Sequence, residues 1–245
     1  MNTAAALFFL ALVTVPVMVF ADNPLEKDIF KTSGGDLGIT FIGHGTLMMT
    51  FAGRVIHVDP YSKLTDYNRL PDADLILITH GHGDHLDMKA IEAIRTKTTV
   101  IVANPAAAES LSGARVMENG QKLTVLDLPI EAVPAYNVVH KRDNDEPFHP
   151  PGRDNGYLVS FGDKRVYIAG DTENIDDMRS LGPVDIAFLP VNLPYTMTPE
   201  MFANAARMVR PKILYPYHYG DTDMKKLLQL LADESDIEVR VRSMK

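Results

Sequence analysis

The 245-residue chain contains no cysteine. Thiolate metal ligands, disulfides and a cysteine nucleophile are therefore excluded, and any metal site has to be assembled from His, Asp and Glu. Positive charge is also scarce. Lys and Arg number 24 against 32 Asp and Glu, a formal net charge of −8. That balance carries no nucleic-acid footprint. It leaves a phosphate-bearing small-molecule substrate open, because bound divalent cations would dominate the local field. A repeat with a period of roughly 20–50 residues, the mark of solenoids and propellers, is not visible.

The first 21 residues lack charge altogether. Ala4 to Phe20 is apolar apart from Thr14, and Val19-Phe20-Ala21 closes the stretch with small residues at its first and third places. This is the pattern of a secretory signal peptide, residues 1–21, cut before Asp22, although no Lys or Arg precedes the apolar run. An uncleaved anchor or a buried helix is the alternative, but Pro16 and the short length argue against a stable spanning helix. With no Cys after it, a lipoprotein anchor is excluded. The expectation is an exported protein, periplasmic or secreted, without a stable membrane anchor after cleavage. Residues 22–245 are expected to form one domain, and a hydrophobic fraction of 46% is ample for its core.

What the chain does have is Thr79-His80-Gly81-His82-Gly83-Asp84-His85, which places three of its eight histidines within six positions. The apolar run Leu75-Ile76-Leu77-Ile78 before it reads as a buried strand, and Leu86 to Ile94 after it as an amphipathic helix. The cluster therefore occupies the loop between a strand's C-terminal end and a helix N-terminus. Imidazole nitrogen and carboxylate oxygen are the usual ligands of zinc and its neighbours. Side chains two apart in an extended loop point the same way, so His80 and His82 can grip one ion. Gly81 and Gly83 are expected to let the backbone turn. Asp84 and His85 then fall where they can serve a second ion. The bland alternative is a polar loop that happens to contain histidines.

Elsewhere, Leu37 to Asp59 reads as three strands after a polar linker, with Ala52-Gly53 as a hairpin turn. His44 closes the first of them and is a candidate for a substrate contact or for supporting a metal ligand, against a structural role. His57, in mid-strand, reads as packing. Asp59 either orients a ligand histidine or is a plain Asp-Pro turn residue. Pro134 to Gly156 is irregular and polar, and a loop of this length inside a domain is usually functional or disordered. Lys164 to Ala169 is a strand delivering Gly170-Asp171-Thr172. Asp171 can bridge two cations with its two oxygens or cap a helix from Glu173 onward. Asn192 to Thr198 is expected to line a pocket. Thr198-Pro199-Glu200 opens a helix whose apolar stripe is read as Met201, Ala205, Met208 and Val209. Ile213 to Tyr217 is a further strand with His218 at its end. Pattern alone supports a mixed α/β or α+β domain.

His80-Gly81-His82-Gly83-Asp84-His85 resembles the signature of the metallo-β-lactamase-fold hydrolases. Gly170-Asp171-Thr172 and the His218 segment match the family's later motifs in order. Phe41-Ile42-Gly43-His44-Gly45-Thr46 and Val58-Asp59-Pro60 resemble the branch of the ascorbate-phosphate lactonases and the N-acyl-phosphatidylethanolamine phospholipase D type. The resemblance spans about Gly38 to Gly220 and implies a four-layer αββα sandwich. It implies two divalent ions, zinc first, with manganese or iron as alternatives. In many members a third ligand histidine of the first ion follows a Pro-Ala step, where this chain has Asn137. His149, in a Phe-His-Pro context, is the expected replacement and His140 the runner-up. The implied site sets His80, His82 and His149 on one ion and Asp84, His85 and His218 on the other, with Asp171 between. A metal-bound hydroxide would attack a small ester, lactone or phosphodiester, with Asp84 or Asp171 passing the proton to the leaving group. His44, Tyr195 and Tyr217 are candidate donors to substrate oxygens. The rival reading is an exported, non-catalytic metal- or ligand-binding protein with a degenerate site.

Overall fold

The computed structural model describes residues 25–244. The expected signal segment, residues 1–21, lies outside the described residues. Two seven-stranded sheets are formed by consecutive halves of the chain. The first contains β1 (Lys27–Thr32), β2 (Gly35–Gly43), β3 (Thr46–Phe51), β4 (Arg54–Val58), β5 (Leu75–Ile78), β6 (Val100–Ala103) and β7 (Arg115–Val116). The second contains β8 (Lys122–Val125), β9 (Leu128–Ala135), β10 (Asp154–Phe161), β11 (Lys164–Ile168), β12 (Ile186–Pro190), β13 (Ile213–Tyr217) and β14 (Glu238–Val239). Each sheet opens with four antiparallel strands, β1–β4 and β8–β11, and continues with three parallel ones. This duplication is architectural and leaves no sequence repeat.

The layers follow from where the apolar residues go. Leu37, Phe41, Ile56, Leu75, Tyr157, Ile168, Phe188 and Tyr215 belong to a core between the sheets. Helices α1 (Met88–Ile94) and α2 (Pro105–Ala108) cover the outer face of the first sheet through Ile76, Ile78, Ile91 and Ile94. Helices α3 (Pro199–Val209) and α4 (Met224–Leu230) cover the second through Phe202, Val209, Leu214 and Leu227. The arrangement is the αββα sandwich. No described helix is long and apolar enough to cross a membrane.

Local chemistry sets the elements. The Thr198 hydroxyl accepts from the Met201 N–H, Pro199 occupies the first turn, and Glu200 sits at the positive end of α3. The buried residues of α3 are Phe202, Ala203, Ala205, Ala206 and Val209, with Met201 and Met208 half-buried at the margin. Of the stripe expected from the sequence, Ala205 and Val209 are buried, while Met201 and Met208 are only half-buried and Phe202 takes the deeper place. The polar segment before Gly38 is no linker. It contains β1, an edge strand whose exposed and half-buried residues alternate; Lys27 and Lys31 lie on the open side, whereas Asp28 lies on the half-buried side, paired with Arg240 and Arg242.

One further expectation, for Gly81 and Gly83, is corrected. Neither Gly81 nor Gly83 has a positive φ, and a Cβ on Gly83 would meet nothing within 4 Å. The conformational demand falls instead on Gly170, at φ 66°, where a Cβ would lie 2.8 Å from the Asn155 carbonyl oxygen.

Candidate metal centre

The loop after β5, the turn after β11 and the end of β13 meet at one end of the sandwich, joined by the loop 136–153 between β9 and β10. His80 Nε2 lies 3.1 Å from His82 Nδ1, and His149 Nε2 lies 3.2 Å from the same atom. Asp171 Oδ2 stands 4.0 Å from His80 Nε2, 3.6 Å from His149 Nε2 and 3.4 Å from His218 Nε2. Its Oδ1 is 3.6 Å from His85 Nε2. Asp84 Oδ2 lies 3.9 Å from His85 Nε2, 3.8 Å from His218 Nε2 and 3.0 Å from His44 Nε2. A tetrahedral zinc with bonds of about 2.0–2.2 Å sets its ligand atoms roughly 3.3–3.6 Å apart, and these separations bracket that range.

Three atoms show that the residues fit divalent ions. His85 Nε2, Asp171 Oδ1 and His218 Nε2 are buried without a hydrogen-bond partner. Such groups are costly unless something satisfies them, and here they face one another. The far sides of the rings are already engaged. Asp59 Oδ2 accepts from His85 Nδ1 at 2.9 Å and from the Thr79 hydroxyl at 2.6 Å, and Asp59 Oδ1 accepts from the Thr79 N–H at 2.8 Å. With its proton on Asp59, the Thr79 hydroxyl accepts from His80 Nδ1 at 3.0 Å. Asn137 Oδ1 accepts from His149 Nδ1 at 2.8 Å. Each of these bonds leaves the lone pair of the site-facing nitrogen toward the centre. Asn192 Nδ2 lies 3.4 Å from His218 Nδ1, and a ligand role for Nε2 requires that amide to present its oxygen instead.

Electrostatics agree. Burial and the neighbouring histidines keep His80 well below its ordinary pKa of 6.5, and burial pushes His149 down to about 4. Both are neutral donors at physiological pH. Burial also acts to lower His85, but Asp171, Asp59 and Asp84 outweigh it and lift the ring to about 9. The same carboxylates that favour a charged His85 ring favour a cation beside it. Burial tends to raise Asp84, but the His218 ring 3.8 Å away, the hydrogen bond with His44 and the charge of His85 hold it ionised, far below the usual carboxylate range.

The backbone is strained here. Asp59, His44 and His218 have φ of 44°, 50° and 47°, a region L-residues avoid at a cost of order 1–3 kcal/mol each. The His218 N–H donates to the His44 carbonyl at 2.9 Å, and the two rings lie 3.7 Å apart. Gly45 leaves room for the His85 ring, since a Cβ there would lie 2.8 Å from His85 Cε1.

Each candidate residue now has a place. His80, His82, Asp84, His85, His149, Asp171 and His218 converge. His44 and Tyr195 line a cavity of about 340 Å³ above them, with Asn192, Arg142 and Phe148. Tyr217 does not line it. It is fully buried between the sheets and its hydroxyl donates to the Gly170 carbonyl at 3.3 Å, so the expected substrate contact is replaced by support for the Asp171 turn. His140 is also elsewhere, its Nδ1 2.6 Å from Glu173 Oε1. Glu173 was missed by the sequence reading. Its carboxylate accepts from the N–H groups of Val138, Val139 and His140 and from the Asn137 amide, which shapes the loop that carries His149. The signal was a lone acid two residues past Asp171, with partners more than thirty positions away. Asn137, which stands where a histidine was expected, holds the histidine that replaces it.

Residues 38–218 match the Beta-lactamase superfamily domain. The chain is similar to a UPF0173 metal-dependent hydrolase of Methanopyrus kandleri, 32% identical over 193 residues that cover 74% of this chain and 84% of that protein. A crystal structure of a metal-dependent hydrolase from Parabacteroides distasonis is 52% identical, with a TM-score of 0.86 over 91% of this chain and 100% of that one. A metallo hydrolase of Ignicoccus hospitalis is 26% identical, with a TM-score of 0.70 over 84% of this chain and 94% of that one.

Proposed function

The chain belongs to the metallo-β-lactamase superfamily as a metal-dependent hydrolase of the UPF0173 family, and from that premise we propose that it cleaves a small ester, lactone or phosphodiester at a binuclear site. His80, His82 and His149 would hold one divalent ion, zinc first, with manganese or iron as alternatives. Asp84, His85 and His218 would hold the other, and Asp171 would reach both. When bound, such ions act as Lewis acids on the substrate oxygen and acidify the attacking water. The observation that carries the reading is the convergence of these seven side chains on buried atoms that nothing else satisfies.

The protein's own groups do the rest. Asp59, Thr79 and Asn137 keep His85, His80 and His149 in single orientations, so no reorganisation is needed during turnover. Asp84 is ionised and faces the cavity with its Oδ2 against His44 Nε2. Its carboxylate accepts a proton and returns it to the leaving group, with Asp171 as the alternative carrier. His44 and Tyr195 contact the substrate from the wall. The motif resemblance favours the lactone and phosphodiester classes over a β-lactam.

A panel of lactones, aryl esters and chromogenic phosphodiesters, run on protein loaded with zinc or manganese, tests this. The expected result is turnover of at least one class, lowered at least about a hundredfold by His82→Ala. Turnover that persists in His82→Ala, or none across the panel, would sink the proposal.

A further inference from the structure

The cavity wall carries one permanent cation that the proposed chemistry does not use. Arg142 lies on the loop 136–153, with its guanidinium 4.9 Å above the Phe148 ring. Phe148 in turn packs edge-on against Tyr195 at 5.2 Å. Stacking on an aromatic face holds the guanidinium fork in one plane and restricts its rotamers. The guanidinium has no carboxylate partner among the described residues. Its polar contacts are Nη2 to the Phe148 carbonyl and to His82 Nε2, both at 3.4 Å and both long for a hydrogen bond. Nε and Nη1 are unengaged. Arg153 is the contrast. It also reaches the Phe148 carbonyl, at 3.3 Å, but is tied to Asp154 at 2.9 and 2.8 Å. In a chain of net charge −8, an arginine left without a carboxylate at the mouth of the cavity is poised for an anion from outside.

His82 strengthens the argument. Its Nδ1 faces His80 and His149. A ring that offers the Nδ1 lone pair to a cation carries its proton on Nε2 and can no longer accept from Arg142. Two donors then face each other across 3.4 Å. An oxygen anion between them satisfies both, and an apolar group satisfies neither.

We propose that Arg142 is a specificity-determining residue that selects substrates bearing an oxyanion, a carboxylate or a phosphate monoester, apart from the bond that is cleaved. Phe148 and Tyr195 pack the short carbon chain that links the two. This rests on the hydrolase reading of the cavity, and Arg142 takes no part in bond breaking.

The test uses the full chain loaded with zinc and a matched pair of esters, mono-p-nitrophenyl glutarate and p-nitrophenyl valerate. The expected result is a preference for the charged ester. Arg142→Gln lowers the charged-to-neutral ratio of kcat/KM by roughly ten- to a hundredfold, mainly through KM, and Arg142→Lys restores only part. Calorimetry with glutarate and with inorganic phosphate gives a readout independent of turnover. Both Kd values weaken in Arg142→Gln, and the tighter ligand in the wild type identifies the oxyanion. An unaltered ratio together with unaltered Kd values overturns the inference and leaves the hydrolase reading intact. An equal fall of kcat on both esters also overturns it, because Arg142 would then act in cleavage. If neither ester is hydrolysed, the ester reading fails, and the calorimetric comparison still decides whether Arg142 binds anions.

Discussion

Asp59 holds neither ion nor substrate in the proposed site, yet His85 and Thr79, and His80 through Thr79, depend on its two oxygens. Asp59→Asn keeps a residue that tolerates the left-handed backbone but puts an amide N–H₂ where one oxygen accepts. Zinc affinity, measured by chelator competition, should fall about 10–100-fold; an unchanged affinity would remove Asp59 from the account. Tyr217→Phe loses one long hydrogen bond, so stability should drop by about 1 kcal/mol or less while KM holds. A raised KM would return Tyr217 to the substrate. His57 gives a pH prediction. It is fully buried, and burial pushes it down to about 4 from an ordinary 6.5, with the Pro71 carbonyl opposing. The unfolded chain therefore binds the proton first, and stability falls as pH drops from 6.5 toward 4, by about 3 kcal/mol in all. Urea denaturation of His57→Gln at pH 7 and pH 4.5 should show that loss largely absent; an identical loss would assign the acid sensitivity to other groups. At this scale the ligands were legible because His80 to His85 are local in sequence. Asn137 was not, because its pattern showed only a missing histidine, and its partner lies twelve positions on, across a loop.

Among elements, β11 and its turn decide the placement of Asp171. Gly170→Ala would set a Cβ against the Asn155 carbonyl at a positive φ, costing about 1–3 kcal/mol and displacing Asp171. Gly83→Ala, in the motif itself, should stay within about 0.5 kcal/mol of wild type. Thermal melts and zinc content of the two variants check this, and equal effects would contradict it. Gly81 and Gly83 suggest a turn by their spacing in the motif, and the chain makes that turn without a positive φ at either, so the position that needs glycine is Gly170. Helix α3 was legible from its cap and proline, whereas β1 was not. With Lys27, Asp28 and Lys31 among its six residues and Ile29 exposed, this edge strand has the composition of a linker.

For the molecule as a whole, neither half of the chain suffices. The first sheet's loops supply His80, His82, Asp84 and His85, and the second's supply His149, Asp171 and His218. The packing of Leu37, Phe41, Phe188 and Tyr215 between the sheets brings them together, with hydrogen bonds from the His218 N–H to the His44 carbonyl and from the Asn155 N–H to the Thr79 carbonyl. Periodicity gave the strands but not their order, because sheet order is fixed by pairings far apart in sequence; the αββα layering came from resemblance. We also propose that the chain is exported, on the uncharged apolar start of the sequence. N-terminal sequencing of the protein from a cell-envelope extract should begin at Asp22, and an intact Met1 would argue against it. The most direct test of the central claim is zinc per chain, by elemental analysis of wild type and His218→Ala after loading and desalting. The account predicts two ions in the wild type and one in the variant. One ion or none in the wild type would contradict it.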